Sequence, residues 1–249
     1  MLLTGKTAVI TGCSRGIGRE TVELFAKNGA DVWAHFRKET DEYLEFCACT
    51  QEKYKTSVRP LFFDITDEVS VKEVLKNVKK DMKKVDILVN NAGVGGSKKV
   101  FQMTSVDEMR EIMDINFFSH MRLTQYFVKY MVKQQSGSII NMSSVAGLYG
   151  EPSMLPYVAS KGAMASATKK LASEYGFYGI RVNAVAPGVT YTDMTEAISD
   201  EYKKRLEDET MLGRLANPTD IANVILFLAS DLSGYVTGQV IEVNGGLKI

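Results

Sequence analysis

Short apolar runs alternate along this chain with longer segments whose apolar residues recur every three or four positions. The runs "TAVIT" (from Thr7), "DVWAHF" (from Asp31), "SVRPLFF" (from Ser57), "DILVN" (from Asp86), "GSIINM" (from Gly137), "IRVNAVA" (from Ile180) and "QVIEV" (from Gln239) predict strands. Segments between them, such as "IGRETVELFAKNG", predict amphipathic helices, that one closed by Asn28-Gly29. Apolar strands alternating with helices give right-handed crossovers and a parallel sheet covered on both faces. The expected fold is therefore α/β and doubly wound, a Rossmann fold. A single parallel seven-stranded sheet would carry helices on both faces, with ligands at the carboxyl ends of its strands. No Pro/Ser-rich linker, low-complexity tract or internal repeat interrupts the pattern, so one domain over residues 1–249 is expected.

Composition narrows this picture mainly by exclusion. Lys plus Arg equals Asp plus Glu at 30 each, which gives no reason to expect nucleic acid or an anionic membrane as a partner. Cys13, Cys47 and Cys49 are an odd set, with spacings that suit neither a disulfide framework nor a metal site. Reduced thiols in a cytoplasmic protein are the expectation. The start "MLLTGKTAVITG" lacks the basic and apolar regions of a signal peptide, and "IANVILFLAS" is too short to span a bilayer. His35 and His120 are too isolated in sequence to form a metal pair, so no metal is expected.

Two stretches change the picture. After the first strand, "TGCSRGIG" sets Gly12, Gly16 and Gly18 at a strand-to-helix turn. Glycines there permit a tight turn and close backbone approach to a pyrophosphate, which the helix N-terminus then faces. The second strand ends in Phe36 and Arg37, where an acceptor for NAD ribose hydroxyls would need an acid. Arg15 and Arg37 are expected to converge on a 2′-phosphate, which favours NADP(H) over NAD(H). Asp64 is read either as acceptor for the adenine amino group or as N-cap of the helix in "ITDEVSVKEV". Further on, "PYVASKGAM" sets Tyr157 and Lys161 one helical turn apart, on one face.

Taken with "NNAG" (from Asn90), Asn116 in "MDINFF", Ser143-Ser144 and "PGVTYT" (from Pro187), these residues resemble the compact branch of the short-chain dehydrogenase/reductases. The resemblance runs over nearly the whole length and divides the chain into a cofactor half, roughly 1–135, and a catalytic and substrate half, roughly 136–249. It implies a catalytic tetrad of Asn116, Ser144, Tyr157 and Lys161. Ser144 is preferred to Ser143 because the family places its serine thirteen residues before the tyrosine. Cofactor contacts are implied in the turn at Gly12, Ser14, Arg15, Gly16, Ile17 and Gly18, and at Arg37, Asp64 and Ile65. Asn91, Ala92 and Gly93 follow, Asn91 as the asparagine that holds the central strands near the cofactor. Tyr157, Lys161, Pro187, Gly188, Val189 and Thr192 complete the implied NADPH/NADP+ site. For Asn116 the competing reading is a helix kink, and for Ser143 and Ser144 strand-end capping.

The chemistry is consistent with those roles. A carbonyl accepting hydride develops negative charge on oxygen and needs a proton and a polarising donor. Tyrosine titrates near ~10, too high for neutral-pH work, and a cation within ~4–6 Å lowers such a pKa by roughly 1–3 units. Lys161 is the expected cation.

"TGCSRGIGRE", "GRLANPTDIANVILFLAS" and "TGQVIEVNGG" resemble the 3-oxoacyl-[acyl-carrier-protein] reductases of fatty acid biosynthesis. That likeness implies an NADPH-dependent, homotetrameric enzyme reducing a 3-oxoacyl thioester. The substrate side departs from it: "VGGSKKVFQM" follows "NNAG", and Gln135 and Tyr178 stand where two carrier-protein-docking arginines are expected. An acyl carrier protein partner is weakened accordingly, although Lys129 and Lys133 keep some positive charge nearby. The alternative is a dehydrogenase of a small alcohol, sugar or steroid; a non-catalytic cofactor sensor is the remote one. Residues Thr190 to Leu212 are expected to form a helical flap over the substrate, with a solvated charged face.

Overall fold

Each predicted strand becomes a strand of one sheet. A computed structural model describes residues 1–150, 154–192 and 199–248. Its strands are β1 (Thr7–Ile10), β2 (Asp31–Phe36), β3 (Val58–Phe62), β4 (Ile87–Asn90), β5 (Gly137–Met142), β6 (Ile180–Pro187) and β7 (Val240–Val243). They are all parallel, in the order β3-β2-β1-β4-β5-β6-β7. The chain leaves β1 toward β2 on one side and returns to β4 on the other. This reversal opens a crevice at the carboxyl ends of β1 and β4, where doubly wound sheets take ligands.

Alternation along the strands builds two cores. Ala8, Ile10, Val32 and Ala34 face one side, packing with Val22, Phe25, Phe46, Ile221 and Ile225. Those partners come from α1 (Gly16–Lys27), α2 (Asp41–Tyr54) and the carboxyl-terminal helix, α9 (Pro218–Ala229). Val9, Trp33, Leu61 and Leu88 face the other side, against Leu75, Leu123, Phe127 and Ala172. These belong to α3 (Glu68–Val78), α5 (Ser119–Gln134) and α7 (Leu155–Tyr175). Residues buried on both faces explain why the strands read as continuous apolar runs rather than as alternating ones.

Three local features position the site. α4 (Val106–Met113) passes into α5 through a π-helical segment, Asp114–Phe118, with Asn116 fully buried within it. The competing reading of Asn116 as a break in helix regularity takes the form of this π-helical turn, which recurs at functional positions. A short α6 (Val145–Tyr149) follows β5, and its Gly147 meets Gly162 of α7 so closely that a Cβ there would sit 2.7 Å from the Gly162 nitrogen. The stripe that α7 buries runs through Pro156, Ser160, Lys161, Met164, Ala165, Thr168 and Ala172, and so includes a lysine. In the expected flap, residues 193–198 lie outside the described residues, and α8 (Asp200–Asp208) buries only Leu206. Ion pairs of Lys203 with Asp200, Lys204 with Asp208 and Arg205 with Glu209 line its exposed face, as expected of a solvated helix. Among the described residues no helix is long and apolar enough to cross a membrane.

Candidate active site

The glycine turn closes the carboxyl end of β1. Gly12 has φ +71°, a conformation costly for residues with a side chain, and a Cβ there would lie 2.8 Å from Ala92 Cα. A Cβ at Gly18 would overlap the Gly12 carbonyl and come 2.6 Å from Asn91 Nδ2. The turn and the loop after β4 are thus in direct contact. α1 begins at Gly16 with no acidic residue in its first turn, so its leading N–H groups are offered to an anion. The residues present fit a dinucleotide pyrophosphate.

Side-chain bonds to the backbone hold this geometry. Asn91 Nδ2 donates to the carbonyls of Thr11 (2.8 Å) and Gly12 (3.1 Å). Thr11 Oγ1 accepts from the backbone nitrogens of Asn91 and Ala92 at 2.8 and 3.0 Å. The expected tie between central strands exists, and Thr11 is its other half, which the sequence reading missed. Only the register of β1 against β4 reveals it.

At the second strand, Arg37 Nε donates to Asp64 Oδ2 at 2.9 Å. Asp64 also accepts from the Thr66 nitrogen (2.9 Å) and hydroxyl (2.7 Å). Burial opposes ionisation of this carboxyl, but the bonds from Thr66 and Arg37 outweigh it and hold it below the usual range. The helix-cap reading of Asp64 is overturned: Asp67 caps α3, accepting from the nitrogens of Val69 and Ser70 at 3.0 and 3.1 Å. α3 starts at Glu68, too far along the chain for Asp64 to reach its first turn.

The opposite end of the crevice gathers the other polar residues. Tyr157 and Lys161 share one face of α7, with Lys161 Nζ 5.8 Å from the tyrosine ring centroid. Lys161 is 6% exposed, and its ammonium donates to the Met142 carbonyl at 2.9 Å. Burial pushes its pKa down to about 8. A Cβ on Gly93 would lie 3.2 Å from Asn116 Oδ1 and 3.5 Å from Lys161 Nζ, so the end of "NNAG" adjoins both. Asn116 accepts from the Val94 nitrogen and donates to the Val94 carbonyl, each at 2.9 Å, and to Ser160 Oγ at 3.0 Å. It therefore fixes the loop after β4.

Ser144 is 7% exposed and accepts from the Ala146 nitrogen at 3.2 Å, capping α6. Its neighbour Ser143 is turned away and donates to the Lys161 carbonyl at 2.9 Å. The capping expected as a competing reading is thus real at Ser144, and it also fixes that hydroxyl's position. Gly16 and Thr192 are neighbours, since a Cβ on the glycine would lie 3.3 Å from Thr192 Cγ2. The 187–192 loop therefore reaches back to the glycine turn. Ser14 and Ile65 lie in the loops just beyond β1 and β3, and Ile17 in the first turn of α1, on the same rim.

Cys13 is fully buried and its thiol donates to the Ile10 carbonyl at 3.1 Å, while burial pushes its pKa well up. It is a filler under the turn. Among the described residues no three His, Cys, Asp or Glu side chains cluster to hold a metal.

A glycine turn and, at the other end of one crevice, a buried lysine beside a half-buried tyrosine define a dinucleotide-dependent oxidoreductase. A family model described as enoyl-(acyl carrier protein) reductase matches residues 12–248. A 3-oxoacyl-[acyl-carrier-protein] reductase FabG of Thermotoga maritima is 41% identical over 249 residues, covering 100% of both chains. A 3alpha-hydroxysteroid dehydrogenase of Mediterraneibacter gnavus is 40% identical over 250 residues, covering 100% of this chain and 99% of the relative. The crystal structure of a proposed gluconate dehydrogenase from Agrobacterium tumefaciens superposes with a TM-score of 0.93 at 29% identity, over 98% of this chain and 96% of that one. The chain belongs to the short-chain dehydrogenase/reductase family and is an oxidoreductase acting on CH–OH with a nicotinamide cofactor.

Proposed function

We propose that this enzyme reduces the 3-oxo group of an acyl thioester with NADPH, with Tyr157 as proton donor. The observation that carries this reading is the buried Lys161 ammonium beside Tyr157 on α7, at the rim of the glycine-turn crevice. NADPH, held by the glycine turn, Arg37 and the 187–192 loop, would supply hydride to the carbonyl carbon. Tyr157 donates its hydroxyl proton as negative charge grows on the carbonyl oxygen. Ser144, its position fixed by the bond from Ala146, adds a second donor. Lys161 stabilises the tyrosinate that remains. With the lysine's pKa lowered to about 8, that support is mostly present at neutral pH and fades in alkaline solution. Asn116 acts on the loop that carries Val94 rather than through a charge of its own. Arg37 is assigned to the 2′-phosphate. Its bond to Asp64 holds the guanidinium at the carboxyl end of β2 before cofactor arrives.

A second reading has specific support. Gln135, which with Tyr178 replaces the expected docking cations, adjoins the residue after Tyr178: a Cβ on Gly179 would lie 2.6 Å from the Gln135 carbonyl. Gln135 and Tyr178 are exposed, beside Phe177 at 93% exposure. This surface is less cationic than an acidic carrier protein favours, and a steroid dehydrogenase is as similar to the chain as a reductase is. Assembly as a homotetramer and a cytoplasmic setting belong to the main reading. The test is initial NADPH oxidation with acetoacetyl-CoA beside small ketones, keto-sugars and a 3-oxosteroid, repeated with NADH. Preferred turnover of the thioester supports the main reading. Turnover of the steroid or a small ketone alone replaces it with the second.

A further inference from the structure

His35 lies two residues before Arg37, inside a strand whose other inward residues are apolar. It is 3% exposed, and its ring stacks on Phe63 with centroids 4.1 Å apart. Nε2 lies 2.9 Å from the Phe63 carbonyl, and Nδ1 lies 3.2 Å from the Gly12 nitrogen. A carbonyl only accepts, so Nε2 carries the proton. Nδ1 is then a bare lone pair that accepts the Gly12 N–H. The His35 backbone carbonyl accepts from the next residue, Cys13, at 2.9 Å. Gly12 is held at positive φ between Ala92 on one side and this imidazole on the other. Burial drives the ring pKa down to about 4, so it stays a neutral acceptor at neutral pH.

We infer that His35 is a positioning residue for the glycine turn: its Nδ1 sets the Gly12 peptide, and through it the backbone that receives the cofactor pyrophosphate. It touches no reacting atom. A purely structural histidine would be needed as much for its bond to Phe63 as for its bond to Gly12, whereas the turn depends on the second alone. The inference rests on the assignment of that turn to NADPH.

Two substitutions separate the bonds. His35→Asn keeps an oxygen where Nδ1 stands and loses the donor to Phe63. His35→Gln keeps an amide donor where Nε2 stands and loses the acceptor for Gly12. Calorimetric NADPH titration of each purified variant is expected to give a Kd at least ~10-fold weaker for His35→Gln, with His35→Asn restoring affinity to within ~3-fold of the parent. In the cofactor-free protein, the Gly12 amide is expected to exchange with solvent at least ~10-fold faster in the glutamine variant only. The KM for NADPH should rise with Kd, and the KM for the carbonyl substrate should not. Equal weakening in both variants, or affinity that follows Tm rather than the bond retained, would overturn the inference. Failure of the parent itself to bind NADPH would overturn instead the assignment of the turn, which the parent titration shows before any variant is compared.

Discussion

The glycine turn and the exposed surface pairs of the chain are built on opposite plans. At the glycine turn, Thr11, His35 and Asn91 are enclosed or partly enclosed, and each bonds to backbone atoms of a neighbouring strand or loop. On the exposed surface, Tyr149 bonds Glu242 at 2.6 Å and Tyr191 bonds Glu207 at 2.7 Å. A bond from a buried side chain to backbone survives only if the fold and that residue persist together. A bond between exposed side chains can be exchanged without disturbing the sheet. The first region is therefore tied into the sheet, and the second can change without it. Relatives with different printed activities share this chain's fold and length for the same reason.

Breaking the chemistry should have the largest effect. Tyr157→Phe removes the proposed proton donor and is expected to lower kcat by about 10²–10⁴-fold. Calorimetric NADPH affinity should change by less than ~3-fold, because the glycine turn is untouched. Full activity in that variant would end the mechanism. Next in size is the phosphate end. Arg37→Ala removes a charge-assisted contact worth roughly 1.5–3 kcal/mol, so KM for NADPH should rise about 10–100-fold while KM for NADH moves little. An equal rise for both cofactors would detach Arg37 from the 2′-phosphate.

Acid should then weaken the fold through its two buried histidines. Burial holds His35 at about 4, and His120, whose Nε2 lies 2.6 Å from the Ala92 carbonyl, at about 3. Both are pushed below their unfolded value, so the unfolded chain binds more protons and stability falls as pH drops below about 6.5. At pH 5 the loss is about 2 kcal/mol per histidine. Chemical denaturation at pH 7 and pH 5 measures it, and equal stability at the two values would show that the rings are not held neutral. Lys161 acts at the other limit, where its lowered pKa makes stability rise as pH climbs from about 8 toward 10.5. The smallest effect belongs to the exposed surface. Gln135→Arg with Tyr178→Arg should raise kcat/KM severalfold for a carrier-bound thioester and leave the CoA thioester unchanged. Equal gains on both substrates would mean that the pair does not meet a carrier protein.

What the sequence disclosed follows the same division. The seven strands, the glycine turn and the Tyr157–Lys161 spacing were legible because each depends on short-range periodicity or on residues close in the chain. Asn91 could be read from its resemblance, but its partner Thr11 could not, since nothing local links β1 to β4. His35 read as isolated for a related reason: Gly12 and Phe63 reach it from two other parts of the sheet, at separations of 23 and 28 residues. Asp64 was the cap candidate on paper, and only the first residue of α3, Glu68, hands that role to Asp67. The depth of Lys161 was also hidden, because its spacing pairs it with Tyr157 but does not show that α7 buries it against the Met142 carbonyl of β5.

The most direct test of the central claim is the initial rate of NADPH oxidation by the purified enzyme with acetoacetyl-CoA, set against the same assay with NADH. Steady turnover with NADPH, at least ~10-fold faster than with NADH at equal subsaturating cofactor, is the expected result. Cofactor that binds but is not oxidised by the thioester would contradict the assigned substrate, and equal rates with the two cofactors would contradict the assigned phosphate site.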